Sequence, residues 1–193
     1  ARAPEMPLIL EENYTHRLLD KLKNNELDLA ILALPVEEPS LVAQAVYEEE
    51  FRVLSPVGHP WAKQKVIASS ALLDAQLLML GAGNCFRDQV LDLCATASSQ
   101  AGISPHVIEG SSLETIRHMV ASGVGVTVMP ASAVDDIPSK DPLLRVRPFK
   151  EPVPTRRVGL VWRASYPRHK AVEVVRRALL DARLPGTRAV VQR

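Results

Sequence analysis

Residues 76–97 read QLLMLGAGNCFRDQVLDLCATA, and this stretch decides the fold. QLLML is a short apolar run typical of a buried strand. GAGN is a loop that ends on Asn84, a residue type favoured at the start of a helix. The apolar residues that follow recur at helical spacing, at Phe86, Val90, Leu93 and Ala97. The stretch therefore predicts a strand over residues 76–80 and a helix over residues 85–97.

Strand and helix patterns alternate on both sides of this unit. Apolar runs predict strands at residues 7–11, 29–34, 41–47, 51–56, 105–109, 126–129, 143–146 and 157–162. Helical spacing predicts helices at residues 14–24, 68–73, 112–122 and 170–184, and a polar loop is expected at 135–142. Ser111 and Glu114 form a capping-box pattern. The alternation predicts an α/β fold with largely parallel sheets, in which the strand at 29–34 is buried on both faces.

The composition is that of a globular protein. The 193 residues are 47% hydrophobic and 23% charged, with a formal net charge of +1. This length suits one domain or two small lobes. A nearly neutral chain with 4% aromatic residues lacks the basic surface and the stacking platform of a nucleic-acid binder. The apolar runs are too short to span a bilayer and residues 1–5 hold no signal-peptide core, so we expect no membrane partner.

The chain contains two cysteines, Cys85 and Cys94. A disulfide-stabilised secreted scaffold carries more cysteines in a shorter chain, so the count favours a reducing cytoplasm. Cys85 follows Asn84 and lies in the first turn of the predicted helix, where unpaired amide N–H groups and the helix dipole favour the thiolate. Arg87 adds positive charge nearby. A thiolate attacks the O–O bond of a peroxide and gives a sulfenic acid, although from spacing alone an ordinary half-buried thiol is the simpler interpretation.

Cys94 follows Cys85 by nine residues. In a helix this separation is a rise of about 13 Å, and it places the two side chains on opposite sides. A disulfide needs Cα atoms within about 7 Å, so the helix would have to unwind before the bond formed. Cys94 is therefore a buried core residue or a resolving cysteine that leaves its packing when Cys85 is oxidised. A redox switch would use both arrangements, one in each state.

The remaining motifs carry little chemistry. The five histidines have no metal-ligand spacing beside the cysteines. The turn GAG at 81–83 lacks the Lys and Ser/Thr of a phosphate-binding loop. We therefore predict no metal site and no cofactor.

Several segments together resemble the effector domain of LysR-type transcription regulators. They are GHPWA at 58–62, SLET at 112–115, MVASGVG at 119–125 and MP at 129–130. The segment NCFRDQ at 84–89, with a second cysteine downstream, is similar to the redox segment of the peroxide-sensing members of that family. YTH at 14–16 and RRVGL at 156–160 also match those members.

The resemblance implies two Rossmann-like lobes of the type II periplasmic-binding-protein fold, joined by two crossover strands. Lobe I would comprise residues 1–76 and 155–193, and lobe II, which carries the redox segment, residues 77–154. A homodimer or homotetramer is expected, which binds DNA through an N-terminal helix-turn-helix domain upstream of this chain. The first strand and most of the first helix of lobe I are also expected to be missing.

The resemblance further implies a peroxide site. Hydrogen peroxide would oxidise Cys85, Cys94 would resolve the product as a disulfide, and a thiol reductant would reset the pair. Thr15 would supply a hydroxyl beside the peroxide, and Arg156 would stabilise negative charge on the thiolate or the leaving oxygen. The candidate ligand-binding residues are thus Thr15, Asn84, Arg87, Asp88 and Arg156. Many relatives carry His where this chain has Asn84, so the contribution of that imidazole must come from elsewhere.

Three functions stay open at this point. The first is a regulatory domain that senses hydrogen peroxide through the two cysteines. The second is a LysR-type domain that binds a small metabolite between the lobes, with incidental cysteines. The third is a thiol peroxidase with catalytic turnover, which is disfavoured because the sequence carries no recycling site and no peroxidase-type pattern. We therefore expect the chain not to be an enzyme.

Overall fold

The computed structural model describes residues 4–97, 106–137 and 141–190. Its helices are α1 (Thr15–Lys23), α2 (Cys85–Ala97), α3 (Leu113–Ala121), α4 (Ala131–Val134) and α5 (His169–Asp181). Its strands are β1 (Ala30–Leu34), β2 (Leu41–Pro56), β3 (Gln76–Leu80), β4 (His106–Gly110), β5 (Val126–Pro130), β6 (Leu144–Pro148), β7 (Thr155–Arg163) and β8 (Thr187–Ala189). Two 3-10 turns span Pro60–Lys63 and Ser69–Asp74, the second in place of the predicted helix at 68–73.

The chain divides into two compact units. Unit 1 comprises Ala1–Glu49 with Arg156–Arg193, and unit 2 comprises Glu50–Thr155. The first change of unit therefore falls inside β2, and not at residue 76 as the sequence suggested. The reason is that the second half of β2 pairs with β5 and β6, which belong to unit 2. The chain returns to unit 1 between Thr155 and Arg156, one residue from the expected boundary.

Unit 1 is built on β7, which lies between β1 and β2. Alternate residues of β7 serve different clusters, because successive side chains of a strand point to opposite faces. Leu160 and its neighbours two residues away pack with Val172 of α5, whereas Val161 packs with Leu22 of α1. The helices α1 and α5 thus cover opposite faces of this sheet.

Unit 2 carries a mixed sheet in which β3 lies between β5 and β4. β3 is parallel to both neighbours, while β2 is antiparallel to β5 and β6. Leu77 and Leu78 of β3 are fully buried, and the same apolar cluster takes in Phe86 of α2 and Ile116 of α3. In unit 1, β1 is antiparallel to β7 and β8 to β2. The expectation of largely parallel sheets therefore holds only for β3 to β5.

The N-terminal strand predicted at 7–11 is absent from the described residues, which are irregular there. Leu8, Ile9 and Leu10 are exposed, and no described strand pairs with them. β1 is also less buried than predicted, because Ile31 is 47% exposed. An apolar run alone does not show whether a neighbouring strand or helix covers it. The predictions for residues 1–3, Pro105 and 138–140 lie outside the described residues.

A single long strand replaces the two predicted at 41–47 and 51–56. β2 runs unbroken through the three consecutive glutamates at 48–50, and each of these carboxylates has an arginine partner. Glu48 pairs with Arg157 and Glu50 with Arg52. Glu49 is fully buried, accepts a hydrogen bond from Arg156 Nε at 2.8 Å, and forms an ion pair with the same guanidinium, whose Nη2 lies 2.7 Å from Oε2. A buried carboxylate is tolerated only with such a partner.

Gly159 of β7 is a site where the packing of unit 1 can be tested. A Cβ atom there would lie 2.5 Å from the Gln44 carbonyl oxygen and 2.7 Å from Leu34 Cδ1. Because a backbone atom cannot move as a side chain can, we expect Gly159→Ala to lower the free energy of unfolding by about 1–3 kcal/mol. Urea unfolding followed by circular dichroism measures this. Gly58→Ala, with nothing within 4 Å of the new atom, is the control, and equal losses for both variants would contradict the packing argument.

Candidate functional site

Cys85 lies at the carboxyl end of β3, as the first residue of α2. The loop 81–84 reverses the chain, helped by Gly83, whose φ of +87° suits glycine. The Asn84 side-chain oxygen accepts a hydrogen bond from the Phe86 N–H at 3.0 Å, which confirms Asn84 as the helix cap. The Cys85 thiol is partly exposed. The predicted helix at 85–97 has the predicted bounds, so Cys85 occupies the first turn, where amide N–H groups lack helical acceptors.

The start of α3 lies at the same edge of the sheet, because β3 and β4 are parallel and end together. Ser112 caps α3 by accepting from the Thr115 N–H at 3.1 Å. Ser111, the predicted cap, instead shares a hydroxyl hydrogen bond with Thr115. The carboxyl edge of parallel strands is where open α/β sheets bind ligands. Unit 2 therefore places a thiol and several hydroxyls at an edge suited to a small polar molecule.

Arg87 is anchored on unit 2 itself. Its Nη1 donates to the Leu80 carbonyl oxygen at 2.9 Å and to Glu109 Oε1 at 2.7 Å. The sequence predicts that the charge of Arg87 favours the Cys85 thiolate. In the structure that charge is paired with the Glu109 carboxylate. Asp88 is exposed in the first turn, a position where a negative charge stabilises a helix.

Cys94 lies in the apolar core of unit 2. It is 2% exposed and belongs to the buried face that Phe86 and Val90 share at spacings of four residues. Burial raises the pKa of the Cys94 thiol, because an apolar environment disfavours the thiolate. Both thiols are free. The helix between them is intact, so the two sulfurs cannot form a disulfide in this conformation.

The burial of the Gln89 side chain, one turn after Cys85, destabilises the folded helix. Its Oε1 atom is buried and has no hydrogen-bond partner among the described residues. An unsatisfied buried acceptor costs about 1–3 kcal/mol. The same segment is stabilised by Phe86, whose ring packs edge-on against Phe51 with centroids 5.4 Å apart. In the intact helix, the packing of Phe86 is thus favourable and the burial of the unpaired Gln89 oxygen is unfavourable.

The remaining candidate residues, Thr15 and Arg156, belong to unit 1. Thr15 is the first residue of α1 and is partly buried. Arg156 binds Glu49, as described above. The structure brings together Asn84, Cys85, Arg87 and Asp88 in one turn of unit 2. That Thr15 and Arg156 adjoin this turn stays a prediction. Sequence reasoning missed Glu49 and Glu109, for which no local pattern gives a signal.

Neither a metal site nor a membrane span is found in the described part of the chain. No group of three or more His, Cys, Asp or Glu side chains there could hold a metal ion. No helix there has the length and apolar character needed to cross a bilayer.

The two α/β units and the strands that pass between them define an effector domain of the type II periplasmic-binding-protein class. The sequence matches the family described as the LysR substrate binding domain over residues 1–183, and the chain belongs to that family.

Its relatives include peroxide-responsive regulators. The chain is 40% identical over 164 residues to a probable hydrogen peroxide-inducible genes activator of Mycobacterium avium, covering 85% of this chain and 52% of that protein. It is 34% identical over 183 residues to the DNA-binding transcriptional dual regulator OxyR of Escherichia coli K12, covering 95% of this chain and 58% of that protein. The chain thus spans little more than half the length of these relatives.

Solved structures of OxyR proteins are also similar to this chain. The reduced OxyR regulatory domain of Pseudomonas aeruginosa is 49% identical and superposes with a TM-score of 0.82, covering 92% of this chain and 84% of that one. A reduced form of OxyR from N. meningitidis is 38% identical with a TM-score of 0.87, covering 98% of this chain and 87% of that one.

The different environments of the two thiols predict different reactivities. In the reduced native protein we expect iodoacetamide to modify Cys85 about tenfold faster than Cys94, because Cys94 is buried and is held as the thiol. Trypsin cleaves after Arg87 and so separates the two cysteines for mass spectrometry. In denaturing urea the two rates should converge. Equal rates in the native protein would contradict the proposed burial of Cys94.

Proposed function

We propose that this domain senses hydrogen peroxide by oxidation of Cys85, followed by a disulfide with Cys94. The proposal rests above all on one observation: a partly exposed thiol at a capped helix start and a buried thiol share the same helix. The relatives named as hydrogen peroxide-inducible activators support it. The full protein, on this proposal, is a cytoplasmic homo-oligomeric transcription regulator that binds DNA through a separate domain.

The chemistry balances without a cofactor. The Cys85 thiolate attacks one peroxide oxygen, the O–O bond breaks, and the leaving hydroxide takes a proton to become water. The sulfenic acid at Cys85 is then attacked by the Cys94 thiolate, which forms the disulfide and releases a second water. Two thiols lose two electrons and the peroxide gains them. A dithiol reductant restores both thiols, and each cycle is a signal and not a catalytic turnover.

The second step requires α2 to open. Opening exposes large apolar side chains such as Phe86 and Val90, at roughly 1.5–3 kcal/mol for each one that becomes fully exposed. A disulfide typically contributes about 2–4 kcal/mol. These amounts are of the same order, so the reduced and oxidised conformations lie close enough in free energy for a switch.

The hydroxyls at the start of α3 favour a second candidate, a domain that binds a small polar metabolite. Ser111, Ser112 and Thr115 lie at the carboxyl edge of the parallel strands, where such ligands bind. A metabolite domain would leave both cysteines unchanged after mild peroxide treatment, and this outcome separates the two proposals.

Two cysteine variants test the chemistry. After peroxide treatment the wild-type domain should lose two hydrogens in mass, as expected for an intramolecular disulfide. Cys94→Ser should instead gain one oxygen at Cys85, because no resolving thiol is present. Cys85→Ser should keep its mass, since the remaining thiol is buried, and circular dichroism checks that it stays folded. A disulfide-level response in Cys85→Ser would show that the sensing thiol is assigned to the wrong residue.

Hydrogen exchange tests the opening of α2. Within residues 85–97, the amides from residue 88 onward donate to helical carbonyl oxygens and should be protected in the reduced domain. They should lose about tenfold or more of that protection once the disulfide forms, because the bond cannot close while the segment between the cysteines is helical. The amides of α5 in unit 1 serve as the internal reference. Equal protection of residues 85–97 in both states would exclude unwinding even if Cys85 proved to be the sensor.

A further inference from the structure

The contacts of Arg87 tie the first turn of α2 to the ends of two strands. Arg87 lies two residues after Cys85, and its Nη1 atom contacts both the Leu80 carbonyl oxygen and Glu109 Oε1. Leu80 ends β3, and Glu109 precedes Gly110 at the end of β4. One side chain therefore fastens the start of the helix to the sheet below it.

Glu109 is held independently of α2. In the register of β3 and β4, Met79 is opposite Glu109 and Leu80 is opposite Gly110. The end of β4 is also packed tightly against α3, since a Cβ atom at Gly110 would lie 2.5 Å from Ile116 Cγ1. The backbone that carries Glu109 is thus held by β3 and α3, and its carboxylate is available to Arg87 without any contribution from α2.

We propose that Glu109 is a positioning residue that, through Arg87, latches the first turn of α2 in its helical conformation. The inference rests on the proposed function for its consequence: the latch sets how readily Cys85 leaves the helix to reach Cys94. Closing the disulfide requires the turns between the two cysteines to open, and Arg87 lies inside that segment. Its contacts with Leu80 and Glu109 therefore oppose the opening.

The Arg87–Glu109 ion pair contributes only weakly to the stability of the first turn, which is compatible with a reversible change of conformation. The side chain of Arg87 is 18% exposed and that of Glu109 is 53% exposed, so water and salt reach the ion pair. Loss of the pair should therefore change the opening equilibrium of the first turn by a small factor, about threefold. It should not unfold unit 2.

The test is Glu109→Gln, which removes the charge and keeps the size of the side chain and the Arg87–Leu80 contact. In the reduced domain we expect hydrogen exchange of residues 88–91, whose amides donate to the carbonyl oxygens at the start of α2, to rise about threefold. Glu114→Gln is the matched control, because Glu114 pairs with Arg117 within α3 and does not touch α2. Raising the salt concentration should increase exchange in the wild type and leave Glu109→Gln unchanged.

A second measurement is the reduction potential of the Cys85–Cys94 pair. Destabilising the helical, reduced state favours the disulfide. A threefold change in the equilibrium constant between the dithiol and the disulfide makes the reduction potential about 14 mV more negative, because a tenfold change corresponds to about 29.6 mV. Unchanged exchange and an unchanged potential in Glu109→Gln would overturn the latch. Failure of the wild type to form any Cys85–Cys94 disulfide would overturn the proposed function, and the exchange arm would still decide whether Glu109 holds the turn.

Discussion

The geometry of α2 is the constraint on which the chemistry of this domain depends. A helix of 13 residues carries one cysteine at its first position and the other near its end, on the buried face. As long as the helix hydrogen bonds persist, the Cα atoms are separated by about twice the distance that a disulfide spans. Oxidation of the first thiol and formation of the disulfide therefore need different backbones. On the proposed function, this requirement would couple oxidation of the cysteines to a change in backbone conformation.

Contributions of both signs determine the stability of α2. The Asn84 cap and the Arg87 contacts hold its start, and the burial of Phe86 and Val90 holds its middle. Against them stands the buried, unpaired oxygen of Gln89. The cap, each buried apolar side chain and the unpaired oxygen each amount to about 0.5–3 kcal/mol, and the exposed Arg87–Glu109 pair to less. On the proposed function, oxidation of Cys85 would have to overcome the sum of these contributions before Cys94 could reach it.

Local sequence patterns predicted β3 and α2 well and the long-range pairings poorly. The bounds of β3 and α2, the Asn84 cap and the inward packing of Cys94 all follow from patterns within about 20 residues. The buried Glu49 could not be predicted, because its partner Arg156 lies 107 positions away. The boundary expected at residue 76 failed for a related reason, since the pairing of β2 with β5 and β6 assigns its second half to unit 2. A run of charged or apolar residues indicates which secondary structure is favoured locally, but the strands or side chains that pair with it determine the structure that forms.

The Glu49–Arg156 pair bears on the proposal that Arg156 takes part in peroxide chemistry. The guanidinium is fixed by a carboxylate that is wholly buried, so the pair as a unit carries no net charge. Any stabilisation of a thiolate or leaving oxygen by Arg156 must then come from N–H groups aimed at that atom, and not from excess positive charge. Directed donors act only over hydrogen-bond distance. On that proposal the contribution of Arg156 would depend on the orientation of its guanidinium, which Glu49 sets within unit 1.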